Sequence, residues 1–244
     1  MGTVVSFAVR ADGRDREARE AVGAAIALLH QVDARFSPYR QDSEVARIES
    51  GTLSIEAASD DLRQVLALCE EVTRATDGYF TTRPWGKFDP SGLVKGWAVE
   101  RAANLLLDHG FGHHSVAGGG DVQVHGTRAQ GRPWVAGIAD PLRPGTVLST
   151  LPMTDGAIAT SGTAERGGHV VDPHTGRAAT QLASVTLVGR HLTRVDAYAT
   201  AALAMGPAAL AWVTRQDGLA ALVVDCAGQV SWTAGWPGTR PPPL

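Results

Sequence analysis

The chain has 244 residues, of which 44% are hydrophobic and 19% are charged, with a formal net charge of −3. These proportions are ordinary for a globular protein, and the length is sufficient to bury a sizeable core. Acidic and basic residues are interspersed, which argues against a nucleic-acid partner and against a basic membrane-binding surface. We expect no window to approach the roughly 18 apolar residues of a membrane span, and no leader is apparent. The sequence therefore predicts a cytoplasmic protein without stable membrane insertion.

The two cysteines, Cys69 and Cys226, lie far apart in the sequence, each in an apolar setting. The simplest interpretation is two buried thiols. No pair of cysteines or cysteine–histidine cluster has the spacing of a zinc site.

The N-terminal part of the chain predicts one strand followed by helices. Alternating apolar residues indicate a strand at 5–9, and apolar residues at steps of three and four indicate a helix over 15–36 that ends before Pro38. A short helix at 44–48 and a longer one that begins near Ser59 follow.

The rest of the chain mixes strands and helices. The predicted strands are 79–82, 115–124, 134–138, 183–188, 219–224 and 230–233. The predicted helices are 94–109, 194–205 and 207–215. Because strands and helices do not alternate strictly, the pattern favours an α+β fold over a doubly wound sheet. We predict one domain over 1–238, with two sub-lobes around a cleft as an option, and a loose proline-rich tail over 239–244.

Residues 88–126 place charged and glycine residues around a predicted helix. Lys95 lies near the start of that helix, where unpaired N–H groups favour an anion, so a phosphate-bearing ligand is one interpretation and a solvated surface lysine is the other. Three consecutive glycines then precede Asp121. They form either a plain turn or a close approach of the backbone to a ligand.

Asp196 and Thr200 are four positions apart in a helical segment and so share one face. Their hard oxygens suit Mg²⁺ or Ca²⁺, although this spacing alone is weak evidence and an aspartate in a first turn also favours the helix dipole. His169 is either a core or turn histidine or a general base. Ser161 lacks the surrounding glycines of a nucleophile elbow, and the chain has no phosphate-binding P-loop motif.

A series of short segments, in one order, resembles the ApbE family of FAD-dependent protein flavin transferases. The segments are Met1-Gly2-Thr3, Phe36-Ser37-Pro38-Tyr39-Arg40-Gln41-Asp42-Ser43-Glu44, Thr76-Asp77-Gly78-Tyr79-Phe80, Asp89-Pro90-Ser91-Gly92-Leu93-Val94-Lys95-Gly96, Gly119-Gly120-Asp121, Thr160-Ser161-Gly162, His169-Val170-Val171-Asp172-Pro173-His174-Thr175-Gly176 and Asp196-Ala197-Tyr198-Ala199-Thr200. Each segment alone is a weak signal, whereas the ordered series is highly specific.

The resemblance implies a T-fold-like α+β domain with mixed, mainly antiparallel sheets packed against helices. It also implies Mg²⁺-dependent transfer of FMN from FAD to a threonine or serine hydroxyl of an acceptor protein, with release of AMP. His169 would be the base that accepts the hydroxyl proton. The FAD site would be formed by Met1, Tyr39, Asp89, Lys95, Gly119, Gly120 and Val170. The Mg²⁺ ligands would be Asp196, Thr200 and backbone oxygens at Gly92 and Ala199.

Two alternatives to flavin transfer stay open. The same site could use water as the acceptor and hydrolyse FAD to FMN and AMP. The segment between Phe80 and Asp89 is shorter than is usual in the family, which leaves a non-catalytic flavin-binding protein as the other alternative. Asp121, after the glycines, is expected to be structural rather than catalytic.

Overall fold

The computed structural model of the chain describes residues 3–163 and 170–240. Its α-helices are α1 (Asp15–Phe36), α2 (Glu44–Glu49), α3 (Asp60–Ala75), α4 (Ser91–Asp108), α5 (Leu192–Met205) and α6 (Ala209–Thr214). Its strands are β1 (Val5–Val9), β2 (His114–Gly118), β3 (Asp121–His125), β4 (Trp134–Ala139), β5 (Val147–Met153), β6 (Gly156–Gly162), β7 (Val171–Asp172), β8 (Arg177–Ala178), β9 (Leu182–Gly189), β10 (Ala220–Asp225) and β11 (Val230–Trp232).

One seven-stranded sheet organises the described part of the chain. Its strand order is β1-β2-β3-β6-β9-β10-β11, and each neighbouring pair is antiparallel. The hairpins β4–β5 and β7–β8 form separate two-stranded sheets. The predicted α+β class with mainly antiparallel sheets is confirmed.

Both faces of the large sheet are covered, which explains why its central strands are rich in buried apolar residues. On one face, α4 lies against β2 and β3, while α5 lies against β6 and β9. On the other face, residues of β4 and β5 such as Ile138 and Leu151 share a second apolar cluster with Ile158 and Leu222 of the sheet.

Helices α4 and α5 cross at very short range at Gly96. A Cβ atom on Gly96 of α4 would lie 2.6 Å from the carbonyl oxygen of Leu192 and 2.8 Å from Cβ of Asp196, both in α5. Real Cβ atoms essentially never approach other atoms this closely, so the crossing requires glycine. This contact fixes the positions of the charged residues described below.

The stretch Leu192–Thr214, which contains α5 and α6, is long and apolar enough to span a bilayer by length and composition. The expectation that no window would pass this test is therefore wrong. Of the apolar window, 67% is buried inside the protein, as is typical of a core helix packed against a sheet.

Two predicted strands differ from the structure. Residues 79–82 lie outside the strands, since a turn at Asp77 and Gly78, both with positive φ, redirects the chain and Phe80 is buried beneath the start of α4. The predicted strand 115–124 is two strands, β2 and β3, joined by a turn at Gly119 and Gly120. The three glycines before Asp121 had already allowed for a turn at this place, and the positive φ values of Gly119 and Gly120 confirm it.

Two other expectations concern local environment. Cys69 is buried as predicted, whereas Cys226 is exposed because it follows β10 in a turn, and the prediction of two buried thiols is wrong for it. At the start of the predicted loose tail, Thr239 is tied to β5: its amide donates to the Thr150 carbonyl at 2.8 Å, and its carbonyl accepts from the Ser149 hydroxyl at 2.7 Å.

Candidate active site

The crossing of α4 and α5 brings Lys95 and Asp196 together, although they are 101 residues apart in sequence. Asp196 is only 3% exposed. Its Oδ2 accepts a 2.8 Å hydrogen bond from the Gly96 amide, and its Oδ1 accepts from Lys95 Nζ at 2.9 Å. A buried carboxylate is tolerated only when it is paired and hydrogen-bonded, and both conditions are met here.

A second buried carboxylate, that of Asp121, lies on the other side of Lys95. Asp121 is fully buried at the start of β3, and its Oδ1 accepts a 2.9 Å hydrogen bond from the Thr160 amide of β6. Its Oδ2 accepts no directional hydrogen bond among the described residues but forms an ion pair with Lys95 Nζ. One ammonium therefore lies between two carboxylates, and the formal charge of this cluster is negative. Such a cluster attracts a further cation.

Gly92 and Thr200 lie one helical turn further along the same crossing. A Cβ on Gly92 would lie 3.8 Å from Cγ2 of Thr200, so the two predicted metal-ligand positions are adjacent. The Thr200 hydroxyl also lies 3.4 Å from the Ser161 hydroxyl at the end of β6. The sequence offered Ser161 as part of a Thr-Ser-Gly segment that lacks a nucleophile elbow. Its closeness to Thr200 was not predictable, because the packing of β6 against α5 is a long-range property.

The hydrogen bonding of Gly96 bears on the backbone ligands. In a regular helix the amide of residue 96 donates to the carbonyl of residue 92. The Gly96 amide also lies 2.8 Å from Asp196 Oδ2, to which it donates, so the backbone of α4 one turn from the Gly92 carbonyl is tied to the carboxylate of a predicted metal ligand. Ala199, whose carbonyl was the other predicted backbone ligand, is fully buried in α5 beside Thr200.

The glycine turn before Asp121 contacts Lys95 directly. Gly119 and Gly120 have φ values of 58° and 89°, a region that favours glycine. A Cβ on Gly119 would lie 2.9 Å from the Thr3 hydroxyl and 3.5 Å from Cδ of Lys95. Gly119 therefore lies beside the aliphatic part of the Lys95 side chain.

Asp89 and Tyr39, both predicted to bind FAD, have contacts away from the Lys95 cluster. Asp89 Oδ1 accepts a 2.9 Å hydrogen bond from the Ser91 amide, which satisfies a free N–H at the start of α4. Tyr39 is 91% exposed on the loop between α1 and α2. Among the described residues, no hydrogen bond, ion pair or ring contact joins Tyr39 to Lys95 or Asp196.

The segment that follows residue 169 packs against α5 and against the turn after α3. Val170 is 8% exposed in the main core, and β7, which follows it, contacts α5. The His174 ring stacks edge-on against Tyr79 at 4.5 Å, and His174 Nε2 lies 3.0 Å from the Asp77 carbonyl oxygen. Two sequence segments of the motif series thus meet in space. The predicted base His169 and the predicted FAD residue Met1 lie outside the described residues.

Two cavities of about 800 Å³ lie elsewhere on the protein. One is formed by α3, α4 and the start of α5, with Trp97 and Tyr198 in its lining. The other lies where β3 ends and β6 begins, away from Asp121 and Ser161, and is lined by His125 and Asp155. Neither is lined by Lys95 or Asp196. We place the candidate site at the Lys95 cluster, because convergent buried charges distinguish a reactive site better than volume does.

The described residues contain no group of three or more His, Cys, Asp or Glu side chains that could hold a metal. A cation at the Lys95 cluster would instead need one carboxylate, a hydroxyl and backbone carbonyls. Such an all-oxygen donor set is suited to Mg²⁺ rather than Zn²⁺.

Comparison with known proteins gives a consistent result. The sequence model of the ApbE family matches residues 1–84 and 81–223. A curated FAD:protein FMN transferase of Klebsiella pneumoniae (strain 342) is 29% identical over 151 residues, which are 58% of this chain and 43% of that protein. The chain thus matches less than half the length of this relative.

Two solved structures have similar folds. The flavin transferase ApbE from Vibrio cholerae superposes with a TM-score of 0.79 at 22% identity, covering 96% of this chain and 94% of that one. The ApbE protein from Thermotoga maritima superposes with a TM-score of 0.78 at 24% identity, covering 88% and 89%. At these identities, the similarity establishes the fold.

Proposed function

This chain belongs to the ApbE family, and on that premise we propose that it transfers FMN from FAD to a threonine or serine hydroxyl of an acceptor protein, releasing AMP. The observation that supports the proposal most is the Lys95 ammonium held between Asp121 and Asp196, one helical turn from Gly92 and Thr200. A pyrophosphate substrate needs cationic groups near its oxygens: Lys95 supplies one, and a divalent cation bound at Asp196 would make the net charge of the cluster positive.

The residues present fit a bound Mg²⁺. The Asp196 carboxylate is buried and already attracts a cation, the Lys95 ammonium, while the Thr200 hydroxyl lies near it on the same helix. These two side chains, with the carbonyls of Gly92 and Ala199, would hold the ion. When bound, Mg²⁺ would withdraw charge from the pyrophosphate oxygens.

The chain's own residues would supply the remaining requirements of transfer. His169 would accept the proton of the acceptor hydroxyl, whose oxygen attacks the phosphorus of the FMN half of FAD. A phosphoester bond then forms as the phosphoanhydride bond to AMP breaks, and AMP leaves with the negative charge. Lys95 would stabilise the charge that develops on the phosphate oxygens.

The proposal is tested by following AMP release from FAD in the presence of Mg²⁺, with and without candidate acceptor proteins. Transfer predicts AMP release that depends on the acceptor and stops on metal chelation. AMP release at a rate that no acceptor changes would identify an FAD hydrolase instead. FAD binding without any AMP release would identify a non-catalytic flavin-binding protein.

A further inference from the structure

The Gly119-Gly120-Asp121 segment contacts Lys95 at two places. Gly119 lies against the aliphatic stem of Lys95, and Asp121 forms an ion pair with its ammonium. Asp121 is itself fixed, since it is fully buried in the third strand of the large sheet and accepts a hydrogen bond from the Thr160 amide. The segment therefore holds the lysine at both its stem and its charged end.

The second partner of the same ammonium is the carboxylate that the proposed metal site needs. Lys95 Nζ and a divalent cation would both draw on Asp196, whose Oδ1 lies 2.9 Å from Nζ. Like charges repel at this range, so one cation weakens the binding of the other unless the lysine has an alternative partner.

We propose that Asp121 is the positioning residue that provides this alternative. It holds the Lys95 ammonium when a divalent cation takes over Asp196, so that lysine and metal act side by side on the substrate phosphates. This inference rests on the proposed function, since it presumes the metal site at Asp196.

The roles of Asp121 and Lys95 are separated by divalent-cation binding to the FAD-free protein, with Mn²⁺ as the probe and its affinity measured by calorimetry or electron paramagnetic resonance. The Asp121→Asn variant keeps an oxygen for the Thr160 amide but loses the charge. Lys95 would then pair with Asp196 alone, and we expect Mn²⁺ to bind about tenfold more weakly.

The Asp121→Asn/Lys95→Met double variant distinguishes positioning from a merely structural role. Because the competing ammonium is gone, we expect Mn²⁺ affinity to return to within about threefold of the unaltered protein. A double variant as weak as Asp121→Asn would overturn the inference. The Lys95→Met single variant gives a separate test if Asp121→Asn does not fold: it should bind Mn²⁺ at least as tightly as the unaltered protein, and weaker binding would overturn the inference.

Asp140 offers a matched control. It is also a buried aspartate, 7% exposed, and is paired with a basic side chain, since Arg143 Nε lies 2.8 Å from its Oδ2. Asp140→Asn should leave Mn²⁺ affinity unchanged. If the unaltered protein binds no Mn²⁺, the proposed metal site and this inference both fail. If it binds Mn²⁺ and Asp121→Asn binds equally well, the inference alone fails.

Discussion

Gly96 makes the closest contact between the two helices that carry the candidate site, and its replacement by alanine tests that geometry. The added Cβ would lie 2.6 Å from the Leu192 carbonyl oxygen and 2.8 Å from Cβ of Asp196. Backbone of α5 cannot rotate away as a flexible side chain can, so the two helices must separate. Overpacking of this kind costs about 3 kcal/mol at the upper end of its usual range.

Two effects of the Gly96→Ala change oppose each other. Alanine is a better helix former than glycine by about 1 kcal/mol, which offsets part of the clash. We therefore expect a net loss of about 2 kcal/mol in the free energy of unfolding, measured by urea denaturation. The Gly96 amide would also move from Asp196 Oδ2, so Mn²⁺ affinity should fall as well.

Gly23 in the middle of α1 provides the matched control, since nothing lies within 4 Å of a Cβ built there. Gly23→Ala should stabilise the protein by about 0.5–1 kcal/mol through helix propensity alone. If Gly96→Ala were as stable as Gly23→Ala, the close crossing of α4 and α5 would be refuted.

Three further predictions concern residues outside the site. Burial lowers the pKa of His114 to about 4, so its neutral form stabilises the fold above the unfolded-state pKa near 6.5, and that stability is lost as the pH falls from 6.5 to 4. When urea unfolding is compared at pH 7 and pH 4.5, the free energy of unfolding should fall less for His114→Asn than for the unaltered protein. Equal decreases would contradict a lowered His114 pKa. Glu100 Oε2 accepts a 2.8 Å hydrogen bond from the Thr193 amide and so satisfies a free N–H at the start of α5. Glu100→Ala should lower the free energy of unfolding by about 1 kcal/mol. An unchanged urea midpoint would argue against this capping role. A thiol reagent should modify exposed Cys226 in the native protein but buried Cys69, whose pKa burial raises to about 12, only after unfolding; native modification of both would contradict this.

The helices were largely predictable because their signals are local. Apolar periodicity gave α1 its bounds, and Ser59 accepts a hydrogen bond from the Leu62 amide at the start of α3, as its sequence context predicted. The aromatic and threonine residues at 79–82 favoured a strand by the same local reasoning, but no strand pairs with them in the described structure. There, burial of Phe80 under α4 overrides local propensity.

The site was predictable only in part, because its key contacts join distant segments. The four-residue spacing of Asp196 and Thr200 placed both on one helix face. Neither spacing nor composition indicates that Lys95 lies between Asp196 and Asp121, since that depends on the α4–α5 crossing and on the sheet position of β3. Asp121, expected to be merely structural, consequently becomes the residue proposed to position the lysine.

Flavin transfer itself is tested by mass spectrometry of candidate acceptor proteins after co-expression with this chain. Flavin transfer predicts an acceptor peptide that carries FMN on a threonine or serine through a phosphoester bond. It also predicts no such peptide with Asp196→Asn and an unchanged yield with Asp140→Asn. An FMN-modified peptide formed equally well with Asp196→Asn would contradict the proposed metal site, and acceptors left unmodified by the unaltered protein would contradict flavin transfer itself.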